Sequence, residues 1–586
     1  MGRRFRGSLP AMLFALLASA AAIRPVGAES MWDARHRVSM ELVTPINYGT
    51  FLPAQLRFAN QGSERLLELN LHHTMSGSST AAVTRLAMQL PPGKTRLELP
   101  LINILSGGKV DVTIRLDGRS VSDLSTSTWL GYSGYQSVIV ALGERIGAVL
   151  PTIENRAVSV KLSVRDAPRL WQSYLGRKSI VVGASGDIAE LDAAQKRALR
   201  RWVSYGGGRL WIVGDSDHDA LSQLGLDPGS PSGPFEPNDA DQIRSRPGEP
   251  DIPAFPPELA WRRAVTGHVA LTSLEVFRRV ESEQLVLLTK TLSRTSRYFD
   301  SYEFNNDELS SSLFSKLHEI PRLGYSLLTI LLGLLIGPLN LLILKRKNRL
   351  ALFYVTAPLL ALGGMLALVV FTFSSDGVHL KMNETALLLH ELQRDEGVLY
   401  RARGVFGPFP PQGGIPLTTD TAAMPFFSAV GQRTRARLES DWTSAQTLRD
   451  GWIRSRELSG LTTAAPRRVR VGLRPVARGP GDVRVVSELK GPAREVWVRL
   501  SGKRYFAESV SPGQEVRLAP TDRYPAAFGI PFVALNDLDW TVMARTDWLP
   551  GLENGSVMGE VLSKEYFYVG VAPPPADMPG KEGGDE

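Results

Sequence analysis

Two apolar runs of about 22 and 24 residues lie between Leu323 and Phe373 and flank the basic stretch Lys345-Arg346-Lys347-Asn348-Arg349. At 1.5 Å per residue each run is long enough to cross the ~30 Å hydrocarbon layer of a lipid bilayer as a helix. A basic connection this short stays in the cytoplasm. The pattern therefore predicts a transmembrane hairpin, 321–374, with both large flanking regions on the side of the membrane away from the cytoplasm.

Outside the hairpin the hydrophobic period is that of strands at both ends. Gln55-Leu56-Arg57-Phe58-Ala59 and Leu67-Glu68-Leu69-Asn70-Leu71 alternate around the turn signal Asn60-Gln61-Gly62, and Val110 to Leu116 alternates again before Asp117-Gly118. Short strands at this spacing predict an N-terminal β-sandwich, immunoglobulin-like, over 29–131. On its strand Leu67–Thr74, His72 and His73 point to opposite faces and do not share a metal. After the hairpin, Arg468 to Arg474, Glu495 to Leu500 and Trp540 to Arg545 alternate in the same way and predict a C-terminal β-rich exported domain over 375–571. Within it, Ser440 to Glu457, with Trp442, Trp452, Arg454 and Arg456, reads as an interrupting helix or surface segment.

Between these β regions, 132–320 reads as an α/β domain. Val138 to Leu142, Ser179 to Gly183 and Arg209 to Gly214 are β-branched, continuously apolar strands of the kind covered on both faces of a parallel sheet. The helix before the last of them has a capping pair, Asp192 and Gln195, and an apolar face of Leu191, Ala198, Leu199, Trp202 and Tyr205. It ends at Gly206-Gly207-Gly208. Glycines that close a helix and enter a strand are the reverse of a phosphate-cradling loop, so no nucleotide site is expected there. Residues 226–257, rich in Pro, Gly, Asp and Ser, read as a long inserted loop, and Asn305 to Leu317 as a helix leading into the membrane.

At the N-terminus, Arg3, Arg4 and Arg6 precede an apolar stretch from Leu9 to Ile23 and the small-residue site Val26-Gly27-Ala28. This is the plan of a signal peptide, 1–28, with an uncleaved anchor as the alternative. Arg3-Arg4 also invites a twin-arginine reading, and either export route gives the same topology. The tail 572–586 is Pro- and Gly-rich, ends acidic and is expected to be disordered. Composition narrows the chemistry. The 586 residues include no cysteine, which excludes disulfides, thiolate metal sites and a cysteine nucleophile. A net charge of +8 is spread along the chain, with its densest runs in the signal and the cytoplasmic loop, so no nucleic acid partner is expected.

The strand ending in Gly183, the helix Leu191-x-x-x-Gln195-x-x-x-Leu199-x-x-Trp202-Val203-x-x-Gly206-Gly207 and the strand Arg209 to Gly214 together resemble the class I glutamine amidotransferase-like (flavodoxin-like) domain. The version most similar occurs in bacterial membrane proteins of uncharacterised function, including auxiliary proteins of ABC transport systems. Gly337-Pro338-Leu339-Asn340, the basic loop and Pro358 are similar to the membrane part of that group. The resemblance implies an exported α/β domain joined to membrane helices and, as a partner, an ABC transporter or another inner-membrane or envelope protein.

The nucleophilic cysteine of true amidotransferases has no counterpart. The corresponding turn is Gly214-Asp215-Ser216-Asp217-His218, which offers Ser216, Asp217 and His218 as candidate catalytic residues in a variant of the Gly-x-Ser-x-Gly elbow that lacks the second glycine. His218 is too close in sequence to serve Ser216 as a base, and His268 is the other candidate base. Asp215, Asp217 and Asp219 are alternatively candidate oxygen ligands for calcium or magnesium, without the glycine and glutamate of an EF-hand. A polar loop at the carboxyl edge of the sheet is the plainer reading. In the hairpin, Gly333-x-x-x-Gly337 and Ala357-x-x-x-Ala361 allow close helix approach, within the hairpin or against another membrane subunit. The expectation is a non-enzymatic membrane-anchored scaffold or accessory subunit without cofactor, whose exported domains bind a protein, glycan or transporter. The alternative is a cell-envelope hydrolase or transferase using the Gly214–His218 turn.

Overall fold

The computed structural model describes residues 29–33, 38–43, 51–74, 81–102, 108–130, 137–144, 146, 157–175, 179–183, 185–214, 217–226, 260–265, 267–279, 313–314, 317, 322–376, 379–392, 394–427, 437–479, 482–500, 503–522, 541–550, 552 and 560–571. The signal peptide, the 227–257 part of the insertion and the C-terminal tail lie outside the described residues.

The described residues open with nine strands: β1 Glu29–Asp33, β2 Val38–Val43, β3 Phe51–Asn60, β4 Arg65–Thr74, β5 Ala81–Leu90, β6 Gly93–Ile102, β7 Gly108–Leu116, β8 Arg119–Ser120 and β9 Thr126–Leu130. One sheet has the order β1-β2-β3-β6, and β5-β4-β7 belongs to a second. Their inward residues meet in one core: Met40, Leu56 and Phe58 from the first sheet, Leu67, Leu69, Leu71, Val112 and Ile114 from the second. The two-residue alternation of the sequence is the alternation of burial along β4, Leu67, Leu69 and Leu71 pointing in. His73 is buried and His72 half-buried, on opposite faces as the period requires.

Next come β10 Ser137–Leu142, β11 Ala157–Leu162, β12 Ser179–Gly183, helix α1 Ser185–Glu190, α2 Ala193–Gly206, β13 Arg209–Val213, α3 Asp217–Leu224, β14 Ala260–Ala264, β15 Gly267–Thr272 and α4 Leu274–Arg279. The sheet order is β11-β10-β12-β13-β15-β14. All pairs are parallel except β14 with β15. The cap of α2 is formed as its sequence requires: Gln195 N donates to Asp192 Oδ1 at 2.8 Å and Asp192 N donates to Gln195 Oε1 at 2.9 Å. Gly207 ends the helix in the left-handed region at φ 66°.

The hairpin consists of α5 Arg322–Leu334, a wide π turn Leu335–Leu339 around Pro338, α6 Asn340–Arg346 and α7 Phe353–Asp376. Its two long apolar windows, Leu323–Arg346 and Leu350–Thr372, are 11% and 6% buried, far too exposed for core helices of a soluble protein. The helices touch through Tyr325 Oη donating to Thr372 Oγ1 at 2.9 Å, Tyr325 edge-on to Phe371, Leu332 against Gly364, and Asn340 Nδ2 donating to Thr356 Oγ1 at 2.9 Å. The expected contact within the hairpin through Gly333 and Gly337 is not made. A Cβ on either glycine would meet nothing within 4 Å, because Pro338 and the π turn place the Tyr325–Leu332–Asn340 side toward α7. Ala357 is half-buried and Ala361 is exposed.

Beyond the hairpin the strands are β16 Lys381–Glu391, β17 Glu396–Phe406, β18 Ile415–Leu417, β19 Ala422–Phe427, β20 Arg437–Asp441, β21 Gln446–Leu448, β22 Ser459–Arg468, β23 Leu473–Gly479, β24 Asp482–Ser487, β25 Ala493–Leu500, β26 Lys503–Val510, β27 Glu515–Arg517, β28 Ala519–Pro520, β29 Thr541–Thr546 and β30 Glu560–Val571. A nine-stranded sheet runs β19-β22-β17-β16-β30-β29-β25-β26-β28, and β23-β24-β27 forms a small sheet over it.

The segment Ser440 to Glu457 is not a helix. Its strands β20 and β21, with β18, extend the N-terminal sheet as β18-β21-β20-β5-β4-β7-β8, so residues from beyond the hairpin complete a sheet begun before it. β20 lies parallel to β5, Trp442 N donates to Arg85 O at 2.7 Å, and the Trp442 ring enters the core around Leu69. The period of this stretch is broken by tight turns, so neither repeat was visible in it. A second junction joins α2 to the nine-stranded sheet. Leu199, Trp202 and Tyr205 share one core with Leu387, Leu389 and Val398. At its rim Glu396 accepts from both Arg200 and Arg201, Arg201 reaches Asp420, and Trp171 Nε1 donates to Asp420 O at 2.7 Å. The regions before and after the hairpin therefore lie at the same end of it.

Trp442→Ala is expected to lower the stability of the N-terminal sheets by ~3–5 kcal/mol, the cost of emptying a large aromatic site. Thermal unfolding of the detergent-solubilised protein, followed by proteolysis within residues 29–130, checks this.

Candidate functional site

In a parallel sheet, ligands are bound outside the carboxyl ends of the strands, where neighbouring connections leave in opposite directions. Here that point lies between β10 and β12, since β11 is on one side of β10 and β13 on the other side of β12. The residues there are Gly143 and Glu144 after β10, Gly183 at the end of β12, and Asp187 on α1.

The Asp187 carboxylate, 7% exposed, occupies the gap itself. A Cβ added to Gly143 would stand 2.2 Å from Asp187 Oδ2, and one on Gly183 2.5 Å from it. Gly143 also has φ 111°, which side-chain-bearing residues rarely adopt. Both glycines are thus what admits the carboxylate, and Asp187 joins the two loops. The sequence reading missed this group because its members are far apart in the chain and belong to no motif. The only signal was a glycine closing each of two core strands, β10 and β12.

The residues singled out in the sequence are only partly placed. Asp215 and Ser216 lie outside the described residues. Asp217 and His218 open α3, and their side chains are likewise outside the description. Asp219, on the first turn of α3, is exposed. Among the described residues no group of three His, Asp or Glu side chains is arranged to hold a metal ion. The candidate base His268 is at the wrong end of the sheet. It pairs with Arg209 at the start of β13, whereas Gly214, just before the turn, donates to Thr272 O at the far end of β15, about 13 Å away at ~3.3 Å per residue.

The other perturbed groups are structural. Glu98 on β6 accepts from Arg169 N, Leu170 N and Ser173 Oγ at 2.8, 3.1 and 3.0 Å, and burial pushes its carboxyl up. Arg57 pairs with Asp166 and Gln55 Nε2 donates to Asp166 O, so the outer face of β3 and β6 carries the α/β region. Burial raises Glu391 and, with the Glu391 charge beside it, raises Tyr205 well above its ordinary value. His390, next to Glu391, is 2% exposed, and its Nδ1 lies 2.8 Å from Tyr568 Oη. Burial lowers it to about 4.

No protein-family model matches this chain, and no curated protein matches it. Among solved structures, the yeast delta-COP-I mu-homology domain complexed with a Dsl1 WxWxV peptide aligns at 11% identity over 33% of this chain and 94% of its own, with a TM-score of 0.15. A superposition that poor carries no argument about fold or function.

Two outcomes follow from the geometry. Gly143→Ala is expected to cost ~1–3 kcal/mol through its backbone conformation, and more where Asp187 must move. Adding Asp187→Ala in the same chain should recover part of that loss, read by thermal unfolding of the two variants. His390 gains its proton in the unfolded chain near pH 6.5 and in the folded protein only near 4. Its contribution is intact above ~6.5 and is lost as pH falls toward 4, by up to about 3 kcal/mol. Denaturation between pH 7 and pH 4 should show a shallower decline for His390→Gln.

Proposed function

We propose that this protein is a non-enzymatic, membrane-anchored scaffold or accessory subunit of a bacterial inner membrane, with its folded regions on the outer side and a membrane or envelope protein, such as an ABC transporter, as partner. The observation that carries the reading is the interlocking of the regions before and after the hairpin. A sheet completed by β20, and a core shared by α2 and β16, make one rigid body on a two-helix anchor. That is a way to hold a surface at fixed height and orientation.

Four further features support it. The strand order β11-β10-β12-β13 is that of flavodoxin-like sheets, in line with an amidotransferase-like domain. At its carboxyl edge the Asp187 carboxylate is set between Gly143 and Gly183. On the hairpin, a Cβ on Gly333 or Gly337 would meet nothing within 4 Å, which leaves room there for a neighbouring helix. The short basic connection at Lys345–Arg349 favours the cytoplasmic side, which puts the rigid body outside.

Crosslinking in intact cells, gentle detergent extraction through a C-terminal tag and mass spectrometry test the proposal. Stoichiometric recovery of the same membrane or envelope subunits is expected, with recovery unchanged in Ser216→Ala. Recovery of the folded protein alone, together with loss of the cellular phenotype in Ser216→Ala, would replace this reading with the enzymatic one.

A further inference from the structure

Among the described residues outside the hairpin, two large hydrophobic side chains are exposed: Leu66, at 37%, and Phe409, at 57%. Leu66 is a strand residue with little more than a third of its surface exposed, and such single cases are ordinary. Phe409 is different because of where the fold puts it and how it is held.

The turn from Gly407 to Gly414 follows β17 at the end of the nine-stranded sheet from which both membrane helices depart. Phe406 is opposite Lys381, the first residue of β16. Gly407 is in contact with Leu380, where a Cβ would stand 2.6 Å from the leucine side chain. Leu380 in turn is only four residues beyond Asp376, the end of α7, a reach of ~14 Å at most. The chain entering the first span touches the same place: Leu313 O accepts from Asn383 Nδ2 at 3.0 Å, and Leu317 lies against Gly404. Both connections to the hairpin converge on the end of β16 and β17 that carries the turn, so that end faces the bilayer.

The turn is also stiff. Three prolines, Pro408, Pro410 and Pro411, restrict its backbone. Arg456 N donates to Gly407 O at 2.7 Å, Ser455 Oγ donates to Pro408 O, and Gly414 N donates to Pro411 O at 3.2 Å. Pro408 is buried while Phe409 and Pro410 project. Arg456, an exposed cation held in the left-handed region at φ 57°, stands beside the turn through its backbone bond to Gly407. An aromatic tip with a neighbouring arginine matches the boundary between acyl chains and phosphate headgroups, where amphipathic groups and cations collect.

We propose that this turn is a membrane-surface contact: Phe409 and Pro410 sit in the interfacial layer of the bilayer, with Arg456 at headgroup level, so that the rigid body rests on the membrane at a third point besides its two helices. A body touching at three points is restrained in tilt as well as in height. The proposal rests on the hairpin crossing the bilayer, and its test separates the two.

Because the chain has no cysteine, each single-cysteine variant of the full-length protein carries one nitroxide spin label. Phe409→Cys, Pro410→Cys, the aqueous reference Leu66→Cys and the span reference Val355→Cys are reconstituted in phospholipid nanodiscs. Collision with oxygen is compared with collision with a water-soluble nickel chelate. Labels at 409 and 410 are expected to favour oxygen, between the two references. Labels at both positions that match Leu66→Cys, or that are shielded from both reagents by protein, overturn the contact. A label at Val355 that behaves as aqueous overturns the spanning hairpin itself.

Discussion

α2 belongs to the same buried core as β16 and β17, although a hairpin of two long apolar helices separates them in the chain. Trp202, Tyr205 and Leu199 on one side and Leu387, Leu389 and Val398 on the other lie in one core. Burying apolar area in that shared core is favourable by roughly 25 cal/mol per Å². Their union is possible only when both flanking regions emerge at the same end of the hairpin. The path of the hairpin and the tertiary packing therefore enforce each other.

Polar groups at the junctions add specificity to that burial. Glu396 is shared by Arg200 and Arg201, so truncating it would leave two partly buried guanidinium groups facing each other. Tyr400 Oη donates to Tyr205 O, which fixes the end of α2 on the sheet. On the other side of the α/β region Glu98 gathers three donors from the segment Arg169–Ser173. These contacts add little energy apiece, but their geometry allows one arrangement of the layers. The result leaves the α/β sheet between two β bodies, with Asp187 set into its carboxyl edge.

Some features were legible because they depend on local periodicity. The capping pair Asp192 and Gln195, the face of α2, the alternation along β4 and the two apolar runs are all set by residues within a turn or two of each other. The candidate site was less legible. Gly214–His218 was chosen from its motif-like turn, whereas Gly143, Gly183 and Asp187 meet only because three chain segments converge at one sheet edge. In the same way Trp442 looked like part of an exposed segment, since no period in its neighbourhood announces that β5, remote in sequence, supplies its strand partner.

The sequence alone determined the presence and length of the hairpin and the number of rhythms in the chain, because hydrophobic length and period are properties of contiguous residues. It also excluded thiol chemistry through the absence of cysteine. The tertiary structure decided which side of the first helix meets the second: the wide turn at Pro338 directs Asn340 toward Thr356 and leaves Gly333 and Gly337 outward. It also decided that residues on both sides of the hairpin form one body, because a pairing between distant strands is chosen by the surfaces available when the whole chain collapses, and no local segment carries that information.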